Sequence, residues 1–272
     1  MAIFSEMRSM RQAAVAGQFY PSDPDDLSRT VDGFLNDAKP VTGRAKAIIG
    51  PHAGYVFSGP IAGSAYRAFD GLEPNSVTRV ILLGPAHCVS FRGVAACAFT
   101  HFSTPMGDVI VEPGAMDRVL NIPGVIEYDG SHSGEHSLEV HLPFIQRVFP
   151  RARIVPLLVG HDAENTVESI LEALWGGAET RIVISSDLSH FHAYDVAKVM
   201  DQNTSQAIVE LDPDGVISDG ACGAVPVRGL LRVARKKRMS AKILDLRSSG
   251  DTAGSQDQVV GYGAYAFYEE TS

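Results

Sequence analysis

The chain has 272 residues, with 23 Lys and Arg against 32 Asp and Glu, giving a formal net charge of −9. Hydrophobic residues make up 45% and charged residues 20%, a balance that excludes general disorder and supports a buried core. The acidic excess argues against nucleic acid or an anionic membrane surface as partner, because both select a basic patch.

At the N-terminus, Glu6, Arg8, Arg11 and Gln12 interrupt any apolar core, so no signal peptide is expected. A helical pattern follows over 25–38. The run AKAIIG at 45–50 reads as a buried strand, with a helix after it over 60–69. VTRVILLG at 77–84, ARIVPLLVG at 152–160 and RIVISS at 181–186 repeat the strand signal, which is short, β-branched and bounded by Gly or Pro. Further helices are predicted over 163–175, 194–211 and 224–237, and closing strands over 242–247 and 259–268. No stretch of about 18 apolar residues suggests a membrane span, and neither an internal repeat nor a linker divides the chain. The alternation predicts one α/β domain over 1–272, a three-layer α/β/α arrangement around a mostly parallel or mixed sheet. The basic run RVARKKR at 232–238 reads as a solvated helix end.

Nine histidines and three cysteines carry the chemistry. No CxxC occurs and three thiols cannot all pair, so a reducing cytoplasm is expected rather than a disulfide framework. Three strands run into a histidine: AKAIIG into Pro51-His52, VILLG into Pro85-Ala86-His87, and RIVISS into Asp187-Leu188-Ser189-His190. Ligands of open α/β sheets bind beyond the carboxyl ends of the strands, so parallel strands would turn these imidazoles toward one crevice and a shared metal or catalytic site. Imidazole suits Zn, Fe, Cu and Ni and does not choose among them. Cys222, in ACG before a helical run, reads either as a thiolate favoured by a helix N-terminus or as a small residue in a tight turn. Cys88 would point away from His87, and Cys97 reads as core.

The segment SHSGEHSLEVHLPF at 131–144 holds His132, Glu135, His136, Glu139 and His141. It is not HExxH, because His136 and His141 are five apart. On a helix Glu135 and Glu139 would share a face, as dipole-complementing acids or as functional carboxylates. His101 and His161 have no evident partner, and His192 is expected in solvent.

These motifs resemble the Memo family, the Memo-like component of the AmmeMemoRadiSam set. The similar stretches are MRQAAVAGQFYP at 10–21, PHAGYVFSG at 51–59, GPAH at 84–87, GEHSLEVHLPF at 134–144, SSDLSHF at 185–191, ACG at 221–223, SSGD at 248–251 and VVGYGAYAF at 259–267. The resemblance implies a fold like that of class III extradiol dioxygenases, the LigB-type enzymes, with a nonhaem Fe(II) site. It implies His52, His87 and Cys222 as metal ligands, Cys222 standing where the dioxygenases have Glu, and His190 as the acid–base. His136 and Glu139 are implied to line the same cleft; in a redox enzyme Tyr55 or His136 would position substrate or dioxygen, and Asp187 is a further substrate-binding candidate. His141 departs from the Gln common in microbial members and is given no role.

A thiolate in place of a carboxylate is softer, favours Cu(I) or Zn, shifts the iron potential, and is itself open to oxidation. Two functions follow as expectations. One is an iron-dependent oxidoreductase acting on an oxygenated aromatic or related small molecule, with His190 moving the proton. The other is a non-catalytic metal-binding or interaction protein that keeps the cleft, with iron or copper as cofactor. A zinc hydrolase with Glu139 as base is a weaker third reading, since HExxH is missing. The resemblance also implies AMMECR-type and radical-SAM protein partners.

Overall fold

The structure, a computed structural model, describes residues 9–73 and 75–270. The chain begins with β1 (Met10–Arg11), α1 (Pro24–Asp37), β2 (Ala47–Gly50) and α2 (Tyr55–Tyr66). Next come β3 (Arg79–Pro85), β4 (Val94–Ala96), β5 (His101–Thr104), β6 (Gly107–Ile110), α3 (Pro113–Leu120), β7 (Val125–Glu127) and the single turn α4 (Asp129–His132). The middle of the chain forms α5 (Leu142–Val148), β8 (Arg153–Val159), α6 (Glu164–Leu174), β9 (Thr180–Ser185), β10 (His190–His192) and α7 (Tyr194–Val209). It closes with α8 (Ala224–Lys236), β11 (Ser240–Ser248), α9 (Ser249–Thr252) and β12 (Val259–Tyr268).

The fold is α/β around a mixed sheet. Its strand order is β10-β12-β2-β9-β3-β8-β4-β7, with β11 paired to β12, and a separate small sheet joins β1, β5 and β6. The four central strands β2, β9, β3 and β8 are parallel. β12 runs antiparallel to β2, and β4 antiparallel to β8. Every residue of β2 and β9 is buried, as is all of β3 and β8 beyond the first residue. That is why these strands read as unbroken apolar runs rather than alternating ones. One continuous buried cluster extends from Val15 to Phe267. Among the described residues, no helix is long and apolar enough to cross a membrane.

The predicted strands and helices match observed ones within a few residues, with one instructive exception. The helix expected to start at Pro60 starts at Tyr55, and Pro60 lies inside it. A proline at the first helical position is the ordinary expectation. Here nine of the twelve helical residues are buried, and that packing offsets a penalty of about 3 kcal/mol. The short elements between 94 and 148 carried no sequence signal strong enough to name them.

The basic run near the end of α8 is not simply solvated. Arg228 pairs with Glu164 at 2.7 Å, Arg232 approaches Glu168 at 3.7 Å, and Lys236 reaches Glu172 at 2.8 Å. These bonds form a ladder between α6 and α8. Being partly exposed, each rung contributes little; the ladder mainly fixes the register of two helices that also pack against each other.

Two buried histidines outside the sheet ends are structural. His132 places Nε2 3.1 Å from the Ala95 carbonyl, and His141 places Nδ1 3.1 Å from the Tyr66 hydroxyl. Burial pushes their pKa values down to about 4 and about 3. Both lie below the unfolded value of about 6.5, so the unfolded chain takes up protons first as pH falls. Their contribution to stability is intact above pH ~6.5 and is lost progressively below it, by at most about 1.4 kcal/mol per pH unit for each group. Urea midpoints should therefore fall between pH 7.5 and 5.5. His141→Gln should flatten that fall; an unchanged slope would assign the pH dependence to other groups.

Candidate metal centre

The parallel strands β2, β9 and β3 are adjacent in that order, so the chain leaves all three at the same edge of the sheet. His52 follows β2 after one proline, Asp187 follows β9, and His87 follows β3. The third wall is the segment 133–141, which is not α-helical until α5 begins at Leu142. It lies across the end of β3, where the Ser137 hydroxyl donates to the Pro85 carbonyl at 2.7 Å.

His52 is 2% exposed. Its backbone N–H donates to Asp187 Oδ1 at 2.8 Å, and its Nδ1 lies 2.6 Å from Ser185 Oγ. The Ser185 hydroxyl spends its only proton on the Ser137 carbonyl, 2.7 Å away. Ser185 Oγ must therefore accept from His52 Nδ1–H, which leaves the lone pair on Nε2. That Nε2 lies 3.4 Å from Cys222 Sγ. Burial, then the neighbouring His87 and His136, hold His52 well below the usual histidine range, so the ring is neutral and able to ligate.

Glu135 orders the other two histidines. Its Oε1 lies 2.9 Å from His87 Nδ1 and accepts from the backbone N–H groups of His136 at 2.9 Å and Ser137 at 3.0 Å. Its Oε2 accepts from the backbone N–H of His87 at 2.5 Å and of Cys88 at 3.2 Å. Burial opposes charge on this carboxyl, but the hydrogen bonds from His87 and Ser137 outweigh it and hold the group well below the usual carboxylate range. An ionised Glu135 accepts from His87 Nδ1–H and turns the Nε2 lone pair away from itself, the arrangement that commonly backs metal-bound histidines. The His136 ring stacks on His87 with centroids 4.8 Å apart and planes 18° apart, and the Phe19 ring is tilted against it with centroids 4.9 Å apart.

The outcome is a cluster in which ligand nitrogens of His52, His87 and His136 lie within 4.8 Å of one another. His87 and His136 keep 32% and 23% of their side chains exposed, so the cluster has a closed side at His52 and an open side. The ring nitrogens of His52, His87 and His136 together fit a first-row transition ion. Calcium and magnesium, which take oxygen ligands, suit this donor set poorly.

Cys222 stands beside the cluster, between β9 and the start of α8. Its backbone N–H donates to the Asp187 carbonyl at 3.3 Å, and the Asp187 N–H points back at Sγ at 3.3 Å. Gly223 makes this approach possible, since a Cβ there would lie 2.6 Å from the Ser185 carbonyl oxygen. A helix N-terminus beside Cys222 would by itself lower the thiol pKa. The reverse holds: burial and then Asp187 push the Cys222 thiol well up, and the start of α8 does not overcome them. Asp187 is itself buried, which raises its carboxyl. It joins His52 to Cys222, with its second oxygen 3.9 Å from His52 Nε2.

His190 lies in β10, half-buried, with Phe191 edge-on at 5.7 Å. It is close enough to act electrostatically on both His52 and Asp187. Two expected cleft residues are not brought there. Tyr55 is 2% exposed and donates its hydroxyl to the Val140 carbonyl at 2.8 Å, with its ring among Tyr20, Phe34 and Phe144. Glu139 is fully buried and faces the N-terminal segment. It pairs with Arg11 and accepts from Ala14 N–H at 2.8 Å, Val15 N–H at 3.0 Å and the Tyr20 hydroxyl at 2.5 Å. Glu135 and Glu139 diverge because the chain between them turns instead of winding as an α-helix. Ser185 is the supporting position that the sequence does not single out; Glu135 stands there as one of two carboxylates, without its link to His87.

A family model described as Memo-like protein matches residues 11–266. The chain belongs to the Memo family. A MEMO1 family protein of Ignicoccus hospitalis is 33% identical over 286 residues, covering 95% of this chain and 98% of that protein. Another, from Methanopyrus kandleri, is 31% identical over 280 residues, covering 94% and 98%. A third, from Sulfolobus acidocaldarius, is 32% identical over 278 residues, covering 93% and 97%. Among solved structures, the uncharacterized protein JW3007 from Escherichia coli K12 aligns over 80% of this chain and 99% of that one, with a TM-score of 0.46 and 13% identity. In this Memo family chain the matched region includes every residue of the histidine cluster, together with Glu135, Asp187, His190 and Cys222.

Proposed function

We propose that the protein is a mononuclear nonhaem metal protein of oxidoreductase type, with Fe(II) as the working metal and an oxygenated aromatic or related small molecule as substrate. The observation that carries this reading is the convergence of His52, His87 and His136 at the sheet edge, with a thiol 3.4 Å from His52 Nε2. His52 and His87 are the anchors, because Ser185 and Glu135 fix their lone pairs. Cys222 is the third donor, and His136 faces what enters from the open side. Bound iron would supply the electron transfer that side chains cannot. The protein's own residues would do the rest. His190 would take the proton of a substrate hydroxyl and return it to the product, as an imidazole can. Asp187 would hold the His52 backbone, and Phe19 and His136 would flank the entrance.

Metal content tests the site. Protein loaded anaerobically with Fe(II) should hold about one ion, His52→Ala should hold none, and Cys222→Ala should lose more affinity than His136→Ala. Full occupancy in the His52/His87/Cys222 triple alanine variant would end the metal reading, and a greater loss with His136→Ala would move the third ligand to His136. For turnover, oxygen uptake with a panel of catechols should fall by ~10²–10⁴-fold in His190→Ala.

A second reading, metal binding without turnover, is favoured by one observation. His52 is 2% exposed, so only the His87 and His136 side of the cluster is open to a small molecule. Iron binding without oxygen uptake on any phenol would select it. The AMMECR-type and radical-SAM partners belong to the same proposal, and co-purification with the tagged chain tests them.

A further inference from the structure

The acid–base role proposed for His190 needs its ring held toward the cluster, and β10 alone holds it poorly. The strand has three residues, and its register against β12 is irregular between His190 and His192. What fixes the preceding turn is a carboxylate from another element. Asp201, on α7 and 3% exposed, accepts from the Ser189 N–H at 3.0 Å. On the other side the Ser189 carbonyl accepts from Gly261 N–H at 2.9 Å, and Leu188 N–H donates to the Gly261 carbonyl at 2.8 Å. Gly261 must lack a side chain, because a Cβ there would lie 1.9 Å from Asp201 Oδ2.

A buried carboxylate is costly unless its bonding needs are met. Among the described residues no Lys or Arg forms an ion pair with Asp201. Its bond to the turn is therefore made although burial raises its carboxyl, and His190 and His192 lie near enough to act on it electrostatically. We infer that Asp201 is the positioning residue for His190: through Ser189 N–H it sets the turn that directs the imidazole to the cluster. This rests on the reading of His190 as the acid–base, but the geometry can be tested without any substrate.

The experiment follows the histidine ring resonances of the full-length protein by ¹H–¹⁵N NMR, metal-free and zinc-loaded, with His190→Ala to assign the signal. Asp201→Ala should move the His190 cross-peaks while those of His87 and His136, and the zinc stoichiometry, stay as in the parent. Asp201→Asn keeps an oxygen for Ser189 N–H and should restore the parent positions. The inference is overturned if Asp201→Ala leaves His190 in place, if Asn moves it as far as Ala does, or if all the cluster histidines move together. Should Asp201→Ala not fold, Gly261→Ala displaces the same carboxylate from the opposite side and is read in the same way. Failure of the metal reading would appear as absent zinc, with the His190 result unaffected.

Discussion

Arg11→Met should lower the free energy of unfolding by about 3–5 kcal/mol, the cost of leaving a buried charge without its partner. Arg11 is 1% exposed and Glu139 fully buried. The guanidinium also donates from Nε to the His132 carbonyl at 3.0 Å and from a terminal nitrogen to the Glu135 carbonyl, and it lies over the Phe102 ring at 5.6 Å. It thus ties the N-terminal segment to both ends of the turn that carries Glu135 and His136. Glu139 would keep the Tyr20 hydroxyl and two backbone N–H groups, so the loss is that of charge compensation, not of every bond. Equilibrium urea unfolding measures it. The double variant Arg11→Met/Glu139→Leu should recover much of the loss, because an apolar pair carries no desolvation cost. A change below about 1 kcal/mol in the single variant would place the pair with exposed salt bridges and contradict its burial.

Glu135→Gln should weaken metal binding by about 10–100-fold, the usual cost of removing the group behind a ligating histidine. The carboxylate takes bonds from His87 Nδ1 and from four backbone N–H groups, those of His87, Cys88, His136 and Ser137. Glutamine offers one oxygen and turns an NH₂ group toward donors. The His87 tautomer is then no longer imposed, and the turn at 134–137 loses half its anchor. Competition against a chelator gives the affinity, and excess metal should still reach about one ion per chain. An unchanged affinity would mean that His87 is oriented by its backbone alone, or that it is not a ligand.

The residues that were legible in the sequence share a cause. His52 and His87 stand directly after fully buried strands, and an apolar run ending in Gly-Pro marks the sheet edge without any knowledge of the fold. His190 is pointed to by the strand RIVISS that runs into it, without a Gly-Pro exit. Tyr55 and Glu139 lie away from the cluster, although their motifs alone suggest the cleft. Tyr55 turns inward because α2 begins there, five residues before Pro60. Glu139 turns toward Arg11, 128 residues away in sequence, and no local pattern encodes that partner. His136 was recognised as a cleft residue, but its stacking on His87 depends on a turn whose conformation is set by Pro85, Arg11 and Glu135 together.

The sequence by itself determined the α/β alternation, the central strands and the edge of the sheet where chemistry would collect, because apolar periodicity and Gly-Pro exits are local properties. Only the tertiary structure decided which groups meet there and in what electrical state. The lone pair of His52 is fixed by a hydroxyl that has already given its proton to a third residue. The Cys222 thiol is governed by burial and by Asp187, and the helix terminus that follows it does not prevail. Both depend on distances between segments far apart in the chain, and desolvation outweighs any preference the local sequence expresses.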